Sequence, residues 1–217
     1  MPKLNPATQA ARRSHILDAA ELCFARAGFH RTSMQDICRE ASVSAGALYV
    51  YFASKEDLIA GIAERDRAKL AGELAVLARE PDLSTALGKL GEHYAVEQPA
   101  HKRLMCIEIG LESTRNEAVG AIYRSVDRFV LDSFEQLFQR AEAEGRIKPA
   151  LAPRELARIV AVLGDGLFWR RAIDPDFDPK IVIPTITAIV ASLLNATDPV
   201  QPNPATDAAD RSLGALP

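Results

Sequence analysis

Apolar residues recur along this chain at the three- and four-residue spacing of amphipathic helices, and no segment alternates as a strand would. In residues 12–27, the apolar residues that share one helical face are Ile16, Ala19, Ala20, Cys23 and Phe24. Gly28 follows them, and glycine commonly occupies the position just past a helix end. The pattern therefore predicts an all-α protein whose first helix ends at Gly28.

Proline and glycine divide the rest of the chain into further predicted helices. Their expected ranges are 54–79, 83–97, 101–114, 117–144, 153–172 and a last helix that ends near 194. A proline inside a helix removes a hydrogen bond at a cost of about 3 kcal/mol. We therefore expect the last helix to begin near Ile183, with Pro184 in its first turn; a kinked helix is the alternative. Residues 198–217 are polar and proline-rich, which predicts a disordered tail.

The stretch 32–58 contains three helix starts in quick succession. Thr32 with Gln35 has the spacing of a capping box, which predicts that a helix begins there. The hydroxyl of Ser44 can cap a second, very short helix, and Ser54 can cap a third. Two helices joined by a tight turn can place the second one in the DNA major groove, which is about 12 Å wide. A helical hairpin inside an ordinary core is the alternative interpretation.

Residues 43–58 read VSAGALYVYFASKEDL, and this run resembles the signature of the TetR family of transcriptional regulators. The resemblance extends upstream and covers about residues 12–60. One departure is Ser42, which stands where the family usually has glycine, and serine adopts a left-handed backbone at a higher cost. The resemblance implies a helix-turn-helix DNA-binding head with a basic arm at 1–53. It also implies a helical part at 54–197 that binds an effector and dimerises.

The residues predicted to contact DNA are small, basic or hydrogen-bonding residues of this head. They are Arg12, Thr32, Ser33, Gln35, Ser44, Ala45, Gly46, Tyr49, Tyr51 and Lys55. The small residues would let the short helix sit deep in the groove, and Lys55 at the next helix N-terminus would suit a phosphate. The resemblance implies that Tyr49 reaches the DNA while Leu48 and Phe52 pack inside the head. The alternatives are that both tyrosines belong to the core and that Lys55 is a solvated surface lysine.

In the helical part, the sequence gives weaker indications of which residues bind an effector. Aromatic and polar residues amid apolar neighbours are the candidates: Tyr94, Glu97, Met105, Glu108, Glu112, Tyr123, Asp165, Phe168 and Trp169. Acidic residues would suit a cationic or hydrogen-bonding ligand and aromatic residues a flat one, while ordinary core or surface roles are the alternative. Dimerisation is expected through two apolar stripes on the last two helices, which would form a four-helix bundle. The predicted dimer residues are Leu156, Val160, Leu163, Leu167, Ile186, Ile189 and Leu193.

Net charge alone does not indicate DNA binding, since the chain carries −3. Residues 1–60 carry +1 and the remainder −4, so the asymmetry is weak but has the expected sign. The basic residues expected to face the phosphates are Lys3, Arg12, Arg13, Arg31 and Lys55. The prediction of DNA binding therefore depends on the motif.

Composition places the chain among ordinary globular proteins, with 48% hydrophobic and 25% charged residues. No apolar run reaches the roughly 18 residues of a membrane span, and the N-terminus has no signal-peptide core, so we expect a cytoplasmic protein. Cys23, Cys38 and Cys106 are widely spaced, which predicts small buried side chains rather than a disulfide or metal site.

These observations predict a repressor that a small molecule releases from a palindromic operator. Its expected partners are double-stranded operator DNA, a second copy of the chain and an unidentified effector. A small helical enzyme is one alternative, but no HExxH, GxSxG or P-loop motif occurs, so we expect no enzymatic activity and no cofactor. A regulator that binds DNA without any ligand is the other alternative.

Overall fold

The computed structural model describes residues 5–195, which form an all-α protein as predicted. The helices are α1 (Pro6–Arg31), α2 (Met34–Glu40), α3 (Ala45–Tyr49), α4 (Lys55–Leu77), α5 (Leu83–Glu92), a π-helical turn (His93–Glu97), α6 (Ala100–Glu112), α7 (Glu117–Ala143), α8 (Pro153–Ile173) and α9 (Pro179–Leu194). The predictions for Lys3 and for a disordered tail at 198–217 lie outside the described residues. Within 5–195, no helix has both the length and the hydropathy to cross a membrane.

Gly28 ends the regular part of α1, as predicted. Its backbone has φ 78° and ψ 168°, a conformation that only glycine adopts without strain. The helix begins earlier than expected because the Asn5 side chain accepts a hydrogen bond from the Ala7 amide over 3.1 Å and caps it.

The start of α2 differs from its prediction by one residue. Ser33, not Thr32, is the N-cap: its hydroxyl accepts from the Asp36 amide over 3.1 Å, and the Asp36 carboxylate accepts from the Ser33 amide over 2.9 Å. This is a complete capping box, closed by aspartate rather than by Gln35. The left-handed turn expected at Ser42 is confirmed, with φ 51°.

Two cores divide the molecule along α4. The first is formed by α1, α2 and α3 together with Leu58, Ile59 and Ile62 of α4, Met105 and Ile109 of α6, and Val119 of α7. The second collects α5, α7, α8 and α9 around Leu74 and Leu77 near the end of α4. Both α4 and α7 therefore contribute to the core of the head and to the core of the other helices.

The last helix, α9, corrects the expectation that it begins near Ile183. It begins at Pro179, where the Asp178 carboxylate accepts from the Lys180 amide over 3.0 Å, and Pro184 lies inside it. Asp178 followed by Pro179 is itself a favourable helix start. Burial of Val190 and Leu194 in the second core helps to offset the hydrogen bond that Pro184 removes.

Most of the predicted dimer residues are at least partly buried within their own subunit, and their role in dimerisation remains a prediction. Leu156 and Leu167 are buried, and partly buried residues pack beside them: Val160, Leu163, Ile186 and Leu193. Only Ile189 among the seven is exposed. The outer faces of α8 and α9 instead expose other apolar residues: Val162, Trp169, Ile173 and Ile181.

Candidate nucleic-acid interface

The short helix α3 presents its small residues to solvent. Ser44 caps it by accepting from the Ala47 amide over 3.2 Å, so its first turn is fixed although the helix has five residues. Ser44, Ala45 and Gly46 are exposed, and a methyl group built on Gly46 would meet nothing within 4 Å. This open, narrow surface is what a helix needs to enter a groove closely.

The two tyrosines beside α3 have different environments. Tyr49 is 53% exposed, whereas Tyr51 is partly buried and packs against the first core. Leu48 and Phe52 are buried, as the resemblance implied. Tyr49 is therefore free to contact DNA, while Tyr51 mainly supports the head from inside.

Thr32 corrects one predicted DNA contact, because it is buried. Its hydroxyl hydrogen-bonds to the Gly28 carbonyl at 2.8 Å and lies 3.1 Å from the Cys23 carbonyl, so it closes the end of α1. Ser33 is exposed but its hydroxyl donates to Asp36 over 2.6 Å, and Gln35 is exposed on α2. Ser33 and Gln35 remain candidates.

Lys55 has a partner within the head. Its ammonium donates to the Phe29 carbonyl and lies 4.1 Å from the centroid of the Phe29 ring. The lysine therefore stabilises the end of α1 by a hydrogen bond and a cation–π contact. Contact between Lys55 and a DNA phosphate remains a prediction, and the Lys55 ammonium already contacts Phe29 in the protein without DNA.

The basic residues of the head are engaged to different degrees. Arg12 is exposed near the beginning of α1, whereas Arg13 pairs with Glu64 over 2.7 Å and covers the Phe52 ring. Arg39 pairs with Asp36, whose pKa is lowered to about 2, first by the Ser33 hydroxyl and amide and then by Arg39. Arg31 is also exposed, with its Nε donating to the Ala27 carbonyl over 3.0 Å, and phosphate contacts by Arg12 and Arg31 remain predictions.

The head is attached to α6 by residues that the sequence had suggested for ligand binding. The Glu108 carboxylate accepts from the Phe29 amide over 2.9 Å, and the buried Glu112 lies 2.8 Å from Nε2 of His30. Met105 is buried in the first core. The structure places these three predicted ligand residues against the head.

A second group of predicted ligand residues lies at the π-helical turn. The Tyr94 hydroxyl donates to Glu73 over 2.7 Å, and Glu97 lies 2.7 Å from Nδ1 of His93. Burial, and then the hydrogen bond to Glu73, raise the pKa of Tyr94. These side chains have partners within the subunit.

Tyr123 and Asp165 belong to a third location, between α6, α7 and α8. Burial raises the pKa of Tyr123, and the charges of Asp165 and Asp127 raise it further. Cys106 is exposed, which corrects the prediction that it is buried, yet the surrounding protein raises the pKa of its thiol to about 12. Phe168 is half-buried and Trp169 is exposed.

The sequence reasoning missed Cys106 and Asp127 at this location, and it missed Arg103 and Arg171 altogether. Arg103 is buried on α6 and Arg171 lies in the last turn of α8. A charged residue beside apolar ones has no periodic signal of its own, since a long side chain usually reaches solvent. Within 5–195, no three His, Cys, Asp or Glu side chains are grouped as a metal site would require.

Comparison with known proteins identifies the head. The profile of the family described as bacterial regulatory proteins, tetR family, matches residues 16–62, which run from α1 into α4. The HTH-type transcriptional regulator UidR of Escherichia coli K12 is 30% identical over 162 residues, covering 71% of this chain and 79% of that protein. The chain belongs to the TetR family of bacterial regulatory proteins.

Other known proteins are similar to this chain over most of its length. The solved structure of GusR from Salmonella enterica is 27% identical with a TM-score of 0.71, covering 89% of this chain and 99% of that one. The relative HdnoR from Paenarthrobacter nicotinovorans, described as a nicotine-responsive transcriptional repressor, is 26% identical over 78% of this chain and 87% of that protein. The chain is a DNA-binding transcriptional regulator of the helix-turn-helix type.

Proposed function

We propose that this regulator is a homodimeric repressor that leaves a near-palindromic operator when a small molecule binds. The observation that carries the DNA-binding part is the open face of α3, where small residues surround an exposed Tyr49. The relative HdnoR, described as a nicotine-responsive repressor, supports release by a ligand. Because its target is chromosomal DNA, we propose that it acts in the cytoplasm.

A homodimer is supported by the outer surface of α8 and α9. An open apolar groove of about 480 Å³ lies between these helices, lined by residues that include Val162, Leu163 and Val182. Exposed apolar residues continue from it: Trp169, Ile173, Ile181 and Ile189. Two such faces can meet across a two-fold axis as a four-helix bundle.

A functional division is proposed between the head, residues 1–53, and the helical part, residues 54–197. The two parts meet at α4, which enters both cores, and at α6, which binds the end of α1 through Glu108 and Glu112. A ligand that moves α6 would therefore shift both heads and change the spacing between them. Linkage requires that operator DNA weakens ligand binding by the same factor, typically 5–150-fold.

The test is a footprint on DNA upstream of the gene, followed by titration of symmetric and half-site operators at several salt concentrations. We expect a dimer on two half-sites about 34–36 Å apart or a multiple of this, and a steep loss of affinity with salt. Equal affinity for half-site and full-site DNA would contradict the dimeric repressor. Binding that no small molecule weakens would favour a regulator without ligand.

A further inference from the structure

The side chain of Arg103 is buried without an acidic partner. The residue is 6% exposed on α6, and one of its terminal nitrogens donates to the Gln98 carbonyl. Its Nε is buried without a hydrogen bond, and no carboxylate of residues 5–195 pairs with it. A guanidinium in such a place is uncommon, since buried charges are normally paired.

Arg171, at the end of α8, carries a second guanidinium, and α8 packs against α6. It donates only to backbone carbonyls, those of Pro175 over 3.3 Å and Phe177 over 3.1 Å, and its Nε is likewise buried without a partner. Burial, and then the charge of Arg171, lower the pKa of Arg103. The two positive charges therefore act on each other, and neither guanidinium pairs with a carboxylate of residues 5–195.

The electrostatics of this pair favour an anion. A buried charge without a counter-charge costs several kcal/mol, and a like charge nearby adds to that cost. Guanidinium groups are planar and bind carboxylate, sulfate or phosphate oxygens through two parallel hydrogen bonds. The two unpartnered Nε–H groups are donors that an oxyanion could satisfy.

We propose that Arg103 and Arg171 form an oxyanion-binding site that holds the carboxylate, sulfate or phosphate group of the effector. This inference rests on the proposed ligand-responsive function. The site joins α6 to α8, and α6 also carries Glu108 and Glu112 to the head. An anion that draws Arg103 towards Arg171 would therefore act on the helix that positions α1.

The experiment uses the full-length protein and measures its melting temperature and binding heat with sodium sulfate and sodium benzoate. Chloride replaces the anion at constant ionic strength in the reference samples.

Arg103→Met and Arg171→Met should each weaken anion binding about ten-fold or more, as loss of a charged hydrogen bond does. In anion-free buffer, Arg103→Met should melt at a higher temperature, because the variant removes an uncompensated buried charge. Arg124→Met, which removes an exposed arginine paired with Glu117, should keep the wild-type response.

Three results would overturn the proposal. The first is a wild-type protein that responds to neither anion, or whose response Arg124→Met reduces equally. The second is an Arg103→Met protein that melts lower and binds anions as before, which would show that the arginine only supports Gln98. The third is dissociation of the dimer in the Met variants without any anion response, which would assign the pair to a carboxylate of the partner subunit.

A separate arm measures operator affinity with and without each anion. Operator binding that neither anion changes would overturn the effector role of the site. A protein that binds anions as expected but binds no operator would instead refute the proposed function and leave the oxyanion site standing.

Discussion

Gly28 shows how one residue joins the head to the rest of the molecule. Its φ and ψ are accessible almost only to glycine, and a methyl group there would lie 2.7 Å from a Glu108 oxygen. Gly28→Ala should therefore lower the free energy of unfolding by about 1–3 kcal/mol in urea titrations. Gly72→Ala is the control, because its added methyl meets nothing within 4 Å and its helical position favours alanine. Equal stability of the two variants would contradict this account.

Substitution of Gly46 should change the stability of the head and its affinity for operator DNA in opposite directions. It lies in the first turn of α3 with open space around it, so Gly46→Ala should stabilise the head by roughly 0.5–1 kcal/mol. The same methyl should weaken operator binding, because the proposed interface requires close approach of this face. Gly72→Ala gains stability in the same way far from that face, and its operator affinity should not change. Unchanged operator binding by Gly46→Ala in a gel-shift titration would remove α3 from the interface.

Asp36 should make the stability of the folded head depend on pH in the acid range. Its pKa lies at about 2 instead of 3.8, because the Ser33 hydroxyl and amide hydrogen-bond to the carboxylate. The charged form therefore stabilises the folded head above pH 4, and this contribution is lost as the pH falls towards 2. Asp36→Asn should be less stable than the wild type at pH 6, and the difference should shrink towards pH 2. A difference that stays constant between these pH values would show that the effect is not electrostatic.

At the scale of helices, capping residues and glycine were the most reliable signals in the sequence. Ser44 and Ser54 cap their helices as predicted, because a cap is a local hydrogen bond between near neighbours. The shift from Thr32 to Ser33 was not predictable, since it depends on Thr32 being buried against Cys23 and Gly28. The predicted start of α9 near Ile183 was wrong for a related reason. Packing of α9 in the second core outweighs the local cost of the hydrogen bond that Pro184 removes.

A buried ionic cluster connects α1, α4 and α6 and should contribute to the free energy of unfolding. Glu21 is buried between Arg65, which donates to it, and Lys102, whose ammonium is 3.3 Å away. Burial raises the pKa of Glu21, while Lys102 and then Arg65 lower it. Arg65→Met should destabilise the protein by roughly 1–3 kcal/mol in urea titrations, because it takes one of the basic partners from a buried carboxylate.

Adding Glu21→Gln to Arg65→Met tests the cause of that loss. The amide carries no charge, so the double variant should recover part of the stability that the single change removes. Strictly additive losses in the double variant would show that the arginine stabilises the protein through its other contacts, which include the hydrogen bond to Asp18 over 2.7 Å.

For the whole molecule, the sequence identified the head but not how the surfaces of the other helices are used. Tyr49 was assigned correctly to an exposed position by resemblance, whereas Glu108 and Glu112 gave no sign in the sequence that they bind the head. The sequence could not show which apolar residues of α8 and α9 are left for a partner subunit, for a geometric reason. Both helices are apolar on two faces, and periodicity alone does not tell which face meets the subunit's own core.

Charged substitutions on the exposed face of α8 and α9 should separate the dimer. Ile189→Asp and Val162→Asp place charges on residues that are 49% and 68% exposed in the single subunit, so neither change disturbs its core. If this face joins two copies, each charge is buried on association, and sedimentation should show monomers. Trp169 lies on the same face, and its fluorescence should shift to longer wavelength when the dimer separates. Loss of the dimer should also lower operator affinity, because a single head contacts only one half-site.

Val76→Asp, on the exposed side of α4, is the control. It introduces the same charge at a residue that is 61% exposed, and it should leave the dimer intact. Dimers that survive both changes on α8 and α9 would place the subunit interface elsewhere.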